Sequence, residues 1–102
     1  MTNVTGKFTD ISGAPIANGK VTFTLNDYAT VGSSFITLQE VSTTLDDEGN
    51  LSVNIYGVDV LIPAGLYYTC EVFTAAGQLA WQGIVKPVGT VFNMSTVIPQ
   101  SA

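Results

Sequence analysis

Few residues in this chain could do chemistry. Histidine is absent and cysteine occurs once, so acid–base work would fall to carboxylates. The densest group is Asp46-Asp47-Glu48, followed directly by Gly49-Asn50. Such a run is turn chemistry, with Gly49 at the left-handed position. A turn tip leaves carboxylates hydrated, whereas a catalytic carboxylate needs surroundings that shift its pKa. A hand-type calcium loop needs spaced oxygen ligands and a closing bidentate Glu, and this run has neither. A loose surface cation contact is the alternative to a plain turn. Cys70 lies in phase with Leu66, Tyr68 and Val72. With no cationic neighbour to activate its thiol, it reads as a small core hydrophobe. The chain is therefore expected to be no enzyme, with no catalytic residues, no metal and no cofactor.

The charge balance narrows the partners. Net charge is -5, and Lys7, Lys20 and Lys86 are the only strong cations. Nucleic acid binding needs a cationic footprint to displace counterions, so no nucleic acid is expected. No apolar stretch approaches the roughly 20 residues that span a bilayer, so no membrane partner is expected. The first residues lack a basic segment and an apolar core. The expectation is synthesis in the cytoplasm without a signal peptide. Charged residues make up only 11% of the chain, against roughly 25% in an average soluble domain. Solubility usually comes from charge, so part of this surface is expected to meet a partner.

The elements that would position these residues are strands. Lys20–Leu25 alternates, placing Val21, Phe23 and Leu25 inward and Thr22 and Thr24 outward. Val4 and Phe8 share a face of a first strand. Asn26–Ser34 reads as a polar loop, and Phe35–Leu38 as a short edge strand. Val41–Ile55 reads as a hairpin about the acidic turn, with Val41, Thr43 and Leu45 facing Leu51, Val53 and Ile55. Leu66–Thr74 and Leu79–Val85 follow as strands, and Val88–Val97 holds the last. Trp81, in phase with Leu79 and Val85, is either a core aromatic or an interface anchor. Short strands every 8–12 residues or so indicate an all-β domain spanning 1–102, an antiparallel sandwich of seven or eight strands.

One segment breaks the rule that loops are polar. Between two strands stand Tyr56, Val58, Val60, Leu61 and Ile62. They could close the open end of the core, or form an exposed patch that docks another chain. Alternation sends Val58, Val60 and Ile62 one way and Leu61 the other. On the docking reading, Leu61 supported by Tyr56 makes the contact, and Leu61→Asp would leave the fold intact.

The motifs carry a resemblance. The run Thr5 to Phe23, with its turn Asp10-Ile11-Ser12-Gly13-Ala14-Pro15 and its Gly19-Lys20-Val21 strand entry, resembles the start of immunoglobulin-like and carboxypeptidase-regulatory-like sandwich domains. Asp46 to Val53 resembles their mid-domain turn, and Pro63-Ala64-Gly65-Leu66-Tyr67 their later strand entry. Tyr68, two residues before Cys70, stands as in a tyrosine corner. The set is similar to small Ig-like domains of bacteriophage virion proteins, such as tail and capsid decoration components. That resemblance implies structural or assembly work through protein–protein contacts. The partner would be a homo-oligomer or other virion proteins, and the location the virion. A carbohydrate- or surface-polymer-binding adhesion module is the alternative, with Tyr28, Tyr56 or Tyr67 lining its groove.

Overall fold

The computed structural model describes residues 1–37 and 40–96. It is an all-β structure of nine strands among those residues: β1 Thr2–Lys7, β2 Lys20–Leu25, β3 Ala29–Val31, β4 Ser34–Ile36, β5 Glu40–Thr44, β6 Asn50–Ile55, β7 Tyr68–Phe73, β8 Leu79–Val85 and β9 Val91–Asn93. A single 3-10 turn, Met94–Thr96, follows β9. One sheet has the order β6-β1-β9, a second β5-β2-β7-β8, and β3-β4 stand as a pair. All pairings are antiparallel except β1 with β9.

Both larger sheets feed one hydrophobic core. Val4, Leu51 and Ile55 enter from the first; Val21, Phe23, Leu25, Tyr68, Cys70, Val72 and Val85 enter from the second. Phe23 meets Tyr68 edge to face at 6.4 Å and 88°, a geometry that puts a ring's positive edge against a negative face. The alternation expected of β2 holds at Val21, Phe23 and Leu25. Thr22 departs from it and is also buried. β2 is a central strand, and Thr22 is flanked by Ser42 on β5 and Glu71 on β7, so its outward face is covered from both sides.

Several expectations are corrected. Val41–Ile55 is no hairpin: β5 pairs with β2 and β6 pairs with β1, in different sheets. The acidic turn carries the chain from one sheet to the other. Two strands that diverge can still look like a hairpin in sequence, because each alternates toward the same core. Val41 is exposed and Val53 only half-buried as a result. The polar segment 26–34 contains β3, too short to announce itself by periodicity. The edge strand expected at Phe35–Leu38 is β4, Ser34–Ile36, and Leu38 falls outside the described residues. The last strand spans Val91–Asn93 within the expected Val88–Val97, and Val97 also falls outside the description. In β8 a bulge pairs Val72 with Trp81 but Phe73 with Leu79. The extra residue, Ala80, throws Leu79 out of phase, so it is exposed while Trp81 is half-buried against the core.

The turn between β5 and β6 is built as its residues dictate. Asp46 Oδ1 accepts from the backbone N–H groups of Glu48 at 2.9 Å and Asn50 at 2.8 Å, and Oδ2 accepts from the Asn50 side-chain amide at 3.1 Å. The Asn50 backbone bond leads in holding this carboxyl below its ordinary pKa. A carboxylate lowered in the folded state adds stability above its unfolded pKa. That contribution is lost as pH falls through the ordinary carboxylate range toward the folded value. Melting temperature is therefore expected to decline on acidification, and Asp46→Asn, which keeps one acceptor oxygen but no charge, to make the decline shallower. Parallel acid melting curves for the two chains would remove this account of Asp46.

Candidate functional site

Two of the potentially reactive groups, Cys70 and Asp46, are engaged by the fold. Cys70 is buried on β7, and burial, with the nearby Glu71 charge, pushes its thiol up to about 12. A thiol so far from its thiolate is a poor nucleophile. Asp46 is engaged by its own turn. Among the described residues no three of His, Cys, Asp or Glu come together as metal ligands.

The segment from Tyr56 to Ile62 runs where β2 and β6 finish and β1 and β7 begin, as the pairs Thr2–Ile55 and Leu25–Tyr68 show. It is held along its length. The Tyr68 hydroxyl donates to the Tyr56 carbonyl at 2.6 Å. The Val58 N–H donates to the Pro87 carbonyl at 2.8 Å. Thr30 and Ile62 exchange backbone bonds of 2.8 and 3.0 Å, which straps the loop to β3. Asp59 Oδ2 accepts from the Gly89 N–H at 3.2 Å. The Tyr68 hydroxyl is pushed up to about 12 by burial, so it remains a donor.

These bonds set which side chains face the core. Leu61 is only 4% exposed and belongs to the core cluster. The assignment of Leu61 as the contact residue is thereby corrected. The strict alternation expected along the loop does not hold, because a turn closed by the Val60 N–H on the Gly57 carbonyl interrupts it. Asp59 is exposed while Leu61, beside the strap to Thr30, faces inward. Tyr56 and Val58 are half-buried against the core, whereas Val60 and Ile62 are exposed.

The loop's exposed side gains neighbours that sequence reading missed. Thr30 pairs with Phe35 across β3-β4 and bridges Ile62 on its other side. Directly paired residues project to the same face, so Phe35, Thr30 and Ile62 form one row, with Tyr28 two residues before Thr30 on the same face. Exposure reaches 68% at Tyr28, 79% at Phe35 and 62% at Ile62. Together with Ala29, Thr30 and Pro63 they line a shallow groove of about 170 Å³. No charged residue lines it. At about 200 Å² per large side chain, the three expose on the order of 400 Å², the scale of a functional apolar patch. The sequence signal was present in the order Tyr28-Ala29-Thr30 and Phe35-Ile36, large residues out and smaller or buried ones in, but three-residue strands give too few repeats to recognise a period.

No protein-family model matches this chain, and comparison with curated proteins finds no relative.

Proposed function

We propose that this chain is a non-enzymatic structural or assembly module that works through protein–protein contacts. The observation that carries the reading is the uncharged row of Tyr28, Phe35 and Ile62, three large side chains left in solvent by a chain already poor in charge. Isolated apolar residues on a surface need no explanation, whereas a contiguous patch at the size of a monomer's largest is often functional. Of the loop residues, Val60 and Ile62 are exposed and free to make contact, whereas Tyr56 and Val58 pack against the core.

The fold is read as an Ig-like sandwich. Its support is the shared core of the two sheets. The Tyr68 hydroxyl also bonds back to backbone, but to the Tyr56 carbonyl 12 residues upstream, farther than the few residues of a tyrosine corner. The strand order differs from that of antibody domains, since the strand after the β3-β4 pair joins β2, so the likeness is one of architecture. A phage virion component, in tail or capsid decoration, follows from the motif resemblance.

The test is the double variant Phe35→Asp with Ile62→Asp. Both residues are exposed, so its melting temperature is expected to stay near that of the parent chain. Its association, read as sedimentation mass against concentration, is expected to weaken at least tenfold, because each charge would be desolvated without a partner. Unchanged association would remove the patch from the assembly. The adhesion reading draws on the same exposed Tyr28 and Phe35 rings. It predicts instead a monomer whose Tyr28→Ala variant loses binding to a glycan panel.

A further inference from the structure

Resting on the assembly reading but on a different surface, a second contact can be argued from the edge of the larger sheet. β8 ends the order β5-β2-β7-β8 and is seven residues long. A free edge offers unpaired N–H and C=O groups to another strand, and folded proteins guard such edges with charge, proline, brevity or bulges. β9 has only three residues, β5 opens on Glu40, and β6 leaves the acidic turn. β8 contains neither charge nor proline, and its bulge at Ala80 leaves Trp81–Val85 regular.

Its side chains are also self-complementary. Trp81 and Gly83 share the inner face and Gln82 and Ile84 the outer, with Ile84 49% exposed. A Cβ at Gly83 would collide with the Trp81 ring, so the indole lies against the Gly83 backbone. Antiparallel pairing of two β8 strands must keep inner positions opposite inner positions. Centred on Gln82, it sets Trp81 opposite the partner's Gly83 and Gln82 opposite the partner's Gln82. The bulkiest side chain then meets no Cβ across the new ladder, and the two amides can hydrogen-bond to each other. Charge allows the approach. Glu71, paired with Gln82 on β7, would stand three strand spacings from its symmetry mate, about 14 Å, beyond the screening length of about 8 Å.

We propose that β8 is a self-pairing edge through which two copies join about a two-fold axis at Gln82, fusing their four-stranded sheets into one. A single edge junction is small beside the roughly 800 Å² per partner of a standard interface, so the dimer forms with rising concentration.

The experiment uses charge exchange at the axis. Gln82→Lys places two ammonium groups face to face and is expected to weaken dimerisation at least tenfold. It sits beside Glu71, so the fold gains an opposite charge. Gln82→Glu is expected to be monomeric likewise, and an equimolar mixture of the two variants to form a heterodimer. The chain has one tryptophan, so indole emission reports on β8 directly and is expected to shift to the blue only in the mixture. Measuring Gln82→Lys also in the Phe35→Asp, Ile62→Asp background separates the two surfaces. The axis residue should control association there even with the apolar patch gone. A parent chain that stays at 10.7 kDa at millimolar concentration overturns the proposal. So does a folded Gln82→Lys chain that associates like its parent, or a mixture that stays monomeric. If the patch variant alone abolishes association, the edge is overturned and the assembly reading stands.

Discussion

Leu61→Asp is expected to unfold the protein, and the neighbouring Ile62→Asp to leave it folded. Leu61 is 4% exposed within the core cluster. Truncating a buried leucine costs about 2–5 kcal/mol through lost burial and the cavity left behind. A carboxylate in its place adds the desolvation of a charge, or of a neutral acid without partners. The loop has little freedom to turn the side chain out, because Thr30 and Ile62 bind each other through both backbone groups and the Val58 N–H is held by Pro87. The sum approaches the whole stability of a typical domain, about 5–15 kcal/mol. Far-ultraviolet circular dichroism should show no cooperative melt for Leu61→Asp, while Ile62→Asp melts within a few degrees of the parent. A Leu61→Asp chain that melts like its parent would put Leu61 outside the core.

Gly49→Val is expected to be the most damaging change in the turns, and Asp47→Ala, two residues earlier, to be almost silent. Gly49 has φ of 77°, a region that costs L-residues about 1–2 kcal/mol and β-branched ones more. Space is lacking too: a Cβ there would lie 2.5 Å from the Phe8 carbonyl oxygen and 3.2 Å from the Ile16 nitrogen. Those two atoms hydrogen-bond to each other at 2.9 Å, and the Phe8 N–H donates to the Gly49 carbonyl at 3.0 Å. Valine would therefore part the β5–β6 turn from the segment after β1. A loss of about 3 kcal/mol is expected, a fall in melting temperature of roughly 15 °C for a domain of this size. Asp47 is exposed, and its removal should stay within about 0.5 kcal/mol. Equal melting of the two variants would refute the turn geometry.

Much of the architecture was legible because it depends on local alternation. Val21, Phe23 and Leu25, then Tyr68, Cys70 and Val72, each follow a two-residue period long enough to read, and all are buried. Gly49 was legible for a different reason: an acidic run ending in Gly-Asn has few backbone solutions. The all-β class and most of the core follow from these residues alone.

Pairing was not legible in the same way. Alternation says which side chains go inward but not which strand lies alongside, so β5 and β6 read as partners although they pair with β2 and β1. The candidate surface has the same origin. Ile62 is far in the chain from Thr30 and Phe35, and the three become neighbours only through the local β3-β4 pairing and the Thr30–Ile62 strap. Composition by itself determined that the chain has little charge and an apolar loop needing cover. Tertiary hydrogen bonds alone decided that Leu61 is covered within the chain and Ile62 is not, because the direction of a loop side chain is set by what its backbone is bonded to across the fold.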